Sequence, residues 1–264
     1  MYDNGRGVNK DSSQSLLWYA KAAEAGHADA QNNLGIKYRK GRWIKRDYDK
    51  ALQLFKRSAN AGNAYGMFNL GVMYEFGKGV KQDYKNALEW YQKSVAVKPV
   101  TSTAYRIGVL YEEGKGVQQD FTEAIKWYQT NAKEPYSMHR LGNMYEQGKG
   151  VSVDKTKAVE WYQKAIEANS PFGMYYLAKY CESENKPEFA KDLYNKAYRL
   201  LESEVKKNLD NTEAMITLAR MIKTGKGTEK NTSKALALYK VAAELGDEEA
   251  REKVKELEQG GSSN

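Results

Sequence analysis

The sequence predicts an all-α fold, a solenoid of stacked antiparallel helix pairs, and three observations lead there. The line MYEFGKGVKQD from Met73 returns as VLYEEGKGVQQD from Val109 and NMYEQGKGVSVD from Asn143. A period of thirty-odd residues marks a stack of similar units. The tyrosine before each loop sets the register: Tyr2, Tyr38, Tyr74, Tyr111, Tyr145 and Tyr180, at steps of 36, 36, 37, 34 and 35, with Ile222 in the last unit. Within each unit the apolar residues recur at helical spacing twice over.

Each element has its own signal. In the first helix Leu70, Met73 and Tyr74 form one stripe. Gly77 stands where a helix end wants a left-handed residue, and Gly79 adds a second permissive position. Asp83 is placed to cap the second helix, whose face carries Ala87, Trp90, Tyr91, Ser94 and Val95. Gly35, Gly71, Gly108 and Gly142 lie inside first helices, where glycine costs about 1 kcal/mol against alanine. A recurring cost implies close approach of the second helix, with Ala51, Ala87, Ala124, Ala158, Ala190 and Ala235 as the expected opposing surface. The Trp-Tyr pairs at Trp90, Trp127 and Trp161 recur in phase with those alanines and read as core.

Composition narrows the function. The 264 residues are 41% hydrophobic and 29% charged, with formal charge +8. The lysines are scattered on helix surfaces, which describes an ordinary basic exterior better than a nucleic-acid tract. No apolar run approaches the roughly 20 residues that span a bilayer. No signal-peptide pattern opens the chain, and Cys181 is alone, so the default expectation is a cytoplasmic protein without disulfides. The two histidines, His27 and His139, have no ligand-like partner nearby in sequence, and GKG between two helices lacks the serine or threonine of a phosphate loop. Neither cofactor, metal nor catalytic constellation is expected.

The pattern LG-x-x-Y-E-x-G-x-G-V-x-x-D-x-x-x-A-x-x-W-Y-x-K resembles the Sel-one-like repeat family, relatives of the tetratricopeptide repeats. The units around Tyr74, Tyr111 and Tyr145 match closely. The unit at Tyr38 departs with GRWIKRD and Leu54-Phe55, and that at Tyr180 with a loop lacking the glycine pair. The resemblance implies a right-handed, tetratricopeptide-like superhelix over residues 1–258. Its expected parts are a half repeat at 1–26, repeats at about 27–62, 63–98, 99–133, 134–169, 170–211 (degenerate) and 212–246, a capping helix at 247–258 and a flexible tail at 259–264. Because residues 1–11 align with the end of a first helix, a longer native N-terminus is expected. The stretch between Ala178 and Ala219 is 41 residues, which calls for a longer second helix or a bend.

The same resemblance places first helices on a concave face, with the residues three and six before the helix glycine pointing into it. That gives Phe68 and Tyr65, Tyr105, His139 and Tyr136, then Tyr175 and Phe172 as a candidate peptide groove. The alternative is that these rings are buried against the next unit. Glu75, Glu112, Glu146 and Glu182 follow on the same face, either as an acidic floor for a basic partner or as a feature of the family pattern. The expected function is a non-enzymatic scaffold or adaptor binding a protein or peptide segment in that groove. The alternatives are an RNA-binding helical repeat, and a bacterial host-interaction or immunity protein that binds an effector.

Overall fold

The computed structural model describes residues 12–41 and 43–260, and the described residues form helices without strands. The expected half-repeat end at 1–11 and the tail beyond Gly260 lie outside them. The chain divides into two compact units, residues 1–120 and 121–264. Unit 1 holds α1 (Ser12–Glu24), α2 (Ala28–Lys40), α3 (Tyr48–Asn60), α4 (Ala64–Glu75), α5 (Tyr84–Val97) and α6 (Thr101–Glu113). Unit 2 holds α7 (Phe121–Thr130), α8 (Pro135–Gln147), α9 (Lys155–Glu167), α10 (Pro171–Ser183), α11 (Pro187–Lys207), α12 (Thr212–Thr224), α13 (Thr232–Glu244) and α14 (Glu248–Gly260). In each unit consecutive helices pack in pairs, α2 on α3 and α4 on α5, α8 on α9, α10 on α11 and α12 on α13.

Four of the loops inside the pairs share one construction, whereas α11 starts after Lys186 without a side-chain cap. Asp47, Asp83 and Asp154 accept from the amides of Lys50, Asn86 and Lys157, each at 2.9 Å, and Asn231 does the same for Lys234 at 2.8 Å. The amide of each capping residue turns back to the register position: Asp83 donates to the Tyr74 carbonyl at 2.9 Å and Asp154 to that of Tyr145 at 2.9 Å. One residue therefore starts the second helix and ties off the first. The second loop glycine has a further role. A side chain on Gly79 would strike the Tyr48 backbone at the start of the preceding second helix, its Cβ 2.7 Å from the carbonyl oxygen. Stacking successive pairs thus depends on bare backbone there.

The helix glycines face a ring first, and Gly71 also faces the expected Ala87, whose carbonyl oxygen a Cβ would meet at 3.2 Å. A Cβ on Gly35 would sit 2.7 Å from the Phe55 ring, on Gly71 2.6 Å from Tyr91, and on Gly142 2.5 Å from Tyr162. The alanines are buried as well, but they pack alongside that contact. The Trp-Tyr pairs are likewise only half core. Tyr91, Tyr128 and Tyr162 are fully buried, whereas the tryptophans before them are half-buried, and Lys93 and Lys164 each stand 4.3 Å over the Trp90 and Trp161 rings. The longer second helix is what occupies the stretch after Ala178: α11 runs 21 residues, with Ala190, Tyr194, Ala197, Leu201 and Val205 buried on one face. Ala250 of α14 is fully buried, and Val254 and Leu257 pack on the same core.

Candidate functional site

Three first-helix glutamates are tied to the buried tyrosine of the second helix in the same pair. Tyr91 donates to Glu75 Oε2 at 2.5 Å, Tyr162 to Glu146 Oε2 at 2.6 Å and Tyr194 to Glu182 Oε2 at 2.8 Å. A hydrogen bond to a charged acceptor contributes about 1.5–3 kcal/mol. Burial, with the carboxylate beside it, pushes the Tyr91, Tyr162 and Tyr194 hydroxyls well above their ordinary range. Where Phe55 replaces the tyrosine, the glutamate position holds Arg39. Glu75, Glu146 and Glu182 thus each hold a tyrosine of their own hairpin, and Glu182 remains exposed at the same time. Glu75 is buried and also accepts from Arg106 of the next first helix at 2.9 Å.

The aromatic positions divide between the units. In unit 1 Tyr65 is 44% exposed on α4, with the Lys98 ammonium 5.6 Å over its ring. Phe68, one turn on, is half-buried with its ring 5.7 Å from that of Tyr91. Tyr105 on α6 is buried, and Glu112 at the end of that helix is half-buried. Below them Asn69 donates to Asn32 at 2.8 Å, a buried amide pair joining α4 to α2.

In unit 2 the corresponding rings turn inward, as the burial alternative supposed. His139 is 0% exposed, sandwiched between Phe172 at 5.0 Å and Tyr176 at 5.2 Å. Phe172 and Tyr175 are buried, and Tyr136 and Glu146 are half-buried. Side chains of α12 then reach over this cluster to α8. Asn211 donates to the Tyr136 hydroxyl at 2.7 Å, and Arg140 donates to Glu213 at 3.1 Å. His139 Nε2 lies 3.3 Å from the same Glu213 oxygen, near it but not aligned for a hydrogen bond. The inner aromatic face of unit 2 is therefore closed by its own residues. Arg140, Tyr176 and Glu213 do this work; Glu213 stands at the repeat position of Tyr65 and Tyr136, whereas Arg140 and Tyr176 had no distinguishing pattern in the sequence.

Among the described residues no group of three or more His, Cys, Asp and Glu side chains is arranged to hold a metal ion. Burial raises the Cys181 thiol above its ordinary value, which makes thiolate scarce at neutral pH. His27 sits exposed at the start of α2 and makes no side-chain cap there. Among the described residues no helix is long and apolar enough to cross a membrane.

The Sel1 repeat family model matches six segments, residues 1–27, 28–63, 64–96, 101–131, 135–170 and 212–247. The chain belongs to the Sel1 repeat family. The longest stretch left unmatched between repeats, 171–211, contains α10 with its glycine-poor loop and the lengthened α11. Among solved structures, this Sel1 repeat chain is similar to a protective antigen of uropathogenic Escherichia coli strains that displays an SLR fold. The identity is 29% and the TM-score 0.64, over 96% of this chain and 54% of that one. The chain thus spans about half the length of that relative. A Sel1 repeat protein from Oxalobacter formigenes is 25% identical with TM-score 0.61, over 97% of this chain and 73% of that one. An immunity protein from Pseudomonas aeruginosa shares the fold at 18% identity and TM-score 0.50, over 83% of this chain and 82% of that one. No curated protein sequence is significantly similar. Sel1 repeat proteins are in general non-catalytic scaffolds for protein interaction.

Proposed function

We propose that this Sel1 repeat chain is a non-enzymatic adaptor that holds a segment of another protein against the first helices of unit 1. The observation that carries this reading is Tyr65, a large aromatic 44% exposed on a first helix and flanked by half-buried Phe68. Exposed aromatics beside a packed floor are the usual anchors of protein interfaces. Lys98 over the Tyr65 ring, with Glu112 half-buried on the neighbouring first helix, supplies charges of both signs for fixing register. Of the wider candidate set, buried Tyr105 lies on the neighbouring first helix of unit 1, whereas Tyr136, His139, Phe172, Tyr175 and Glu146 belong to unit 2 and form no part of this face. A more specific reading, a bacterial host-interaction or immunity protein acting by binding an effector, is favoured by the 29% identical relative that is a protective antigen.

Capture from a lysate of the source organism tests the reading, with wild type compared against Tyr65→Ala and against Val241→Ser. Val241 is similarly exposed but lies on a second helix in unit 2. A protein retained by wild type and Val241→Ser and lost from Tyr65→Ala supports the adaptor role. Equal retention by all three removes the unit 1 face from consideration.

A further inference from the structure

A separate surface lies on the loop edge of unit 1, away from Tyr65. The loop after α2 departs from its counterparts. Trp43 occupies, at φ 67°, the left-handed position that Gly79 and Gly116 fill in the next two loops, and the Lys37 ammonium covers its ring at 3.9 Å. Between residues 44–47, the start of α3 and Gly79 of the next loop opens a cavity of about 610 Å³. Lys45, Arg46 and Lys50 line it. The Lys50 ammonium stands 5.4 Å over the Tyr38 ring, and Lys78 lies at the same 5.4 Å over Tyr48. Arg46 donates to the Tyr48 hydroxyl at 3.1 Å.

Two aspartates stand among these cations. The Asp47 carboxylate is taken up by the Lys50 amide at 2.9 Å and ammonium at 3.4 Å, while Asp49 is exposed beside it. Along the next loop Lys81 and Lys85 add further exposed charge. Among the described residues the Lys45 and Lys81 ammonium groups enter no ion pair or hydrogen bond, while the charge of Lys85 acts on Asp83. The excess is local. Seven residues past the register position, where the loops after α2 and α4 have Lys45 and Lys81, later loops have Gln118, Ser152 and Glu229.

We propose that this edge, from Lys45 to Lys85, docks an extended acidic segment of another protein. Charge complementarity names the partner, and the rings narrow it. Nucleic acid held on aromatic platforms needs open ring faces, whereas Tyr38 and Tyr48 already lie under ammonium groups. What the surface offers is donor tips steadied on rings, which suits carboxylates. The two loops carrying Lys45 and Lys81 follow α2 and α4, which pack on each other, and packed helices stand about 8–10 Å apart. An extended chain covers about that distance in three residues, at about 3.3 Å each. Carboxylates at every third position of the partner therefore meet successive loops.

The test is fluorescence anisotropy on the full chain, using a labelled peptide with glutamate at every third position among glycine and serine. The glutamine version of that peptide and a single-stranded RNA of equal length serve as comparisons. The glutamate peptide is expected to bind at low salt and to weaken as salt rises, and the glutamine peptide to bind at least about tenfold more weakly. Lys45→Glu/Lys81→Glu is expected to lose about tenfold or more, and Lys45→Gln/Lys81→Gln an intermediate amount. Lys133→Glu/Lys207→Glu, the same charge change at exposed positions of unit 2, is expected to lose less than about twofold. Tyr65→Ala should leave peptide binding unchanged, which keeps this surface distinct from the inner-face reading. The proposal is overturned if the glutamine peptide binds equally, if both charge-reversal variants lose equally, or if the RNA binds more tightly than the peptide.

Discussion

Replacing Gly71 by alanine measures what the notch in each first helix is worth. In an open helix this change gains about 1 kcal/mol from propensity alone. Here the new methyl would lie 2.6 and 2.7 Å from two carbons of the Tyr91 ring and 3.2 Å from the Ala87 carbonyl. The ring has nowhere to go, because Tyr91 is fully buried and its hydroxyl is fixed to Glu75 at 2.5 Å. Overpacking costs about 1–3 kcal/mol, and displacing a charge-assisted hydrogen bond costs about 1.5–3 kcal/mol more. Set against the propensity gain, the net loss is about 1.5–5 kcal/mol, or roughly 3–20 °C in melting temperature for a chain of this size. A double-mutant cycle isolates the cause. In a Tyr91→Leu background the notch is no longer filled by a ring, so the alanine should become neutral or stabilising by up to about 1 kcal/mol. Thermal melts followed by circular dichroism on the four proteins complete the cycle. An unchanged or raised melting temperature for Gly71→Ala alone would refute the packing account.

Other consequences follow from the same geometry. Tyr162→Phe leaves the ring in place but removes the donor to Glu146, and it is expected to cost about 1.5–3 kcal/mol by urea titration. The tyrosines bonded to glutamate have folded-state pKa values above the ordinary 10.0, so their contribution is full below pH 10 and disappears as pH rises further. Alkaline absorbance titration should therefore show a set of tyrosines ionising only as the helices melt. The capping aspartates behave oppositely. Asp83 is held below its ordinary value of 3.8 chiefly by the Asn86 amide, so its contribution is present above that pH and fades as pH falls through the lower folded value. Asp83→Asn, the residue type that Asn231 already supplies at the same loop position, should melt like wild type at neutral pH and lose less below pH 4. Trp127→Ala, at a half-buried site, should cost less than the roughly 3–5 kcal/mol of a fully buried tryptophan.

The sequence made the hairpin repeat legible because apolar period, loop glycines and capping aspartate all recur in fixed phase. Which small residue meets which large one was harder. Alanines and tyrosines of the second helix share one buried face, and spacing alone does not say that the ring, through its length, reaches the glycine. A signal did exist in the comparison of repeats: Phe55, without a hydroxyl, goes with Arg39, while Tyr91, Tyr162 and Tyr194 go with Glu75, Glu146 and Glu182. Tyr239 with Lys223 breaks the rule, which weakens it as a guide. The fate of the inner aromatics was not readable locally. Tyr65 and Tyr136 occupy the same repeat position, yet Tyr136 is bonded by Asn211, 75 residues away. Contacts that skip a repeat carry no periodic signature.

Site-specific photo-crosslinking in cells of the source organism tests the central claim most directly. A benzoylphenylalanine is placed at position 65 in one protein and at position 241 in another. The account predicts discrete protein adducts from position 65 and none above background from position 241. Equal yields from both positions, or adducts at position 65 that ribonuclease removes, would contradict it.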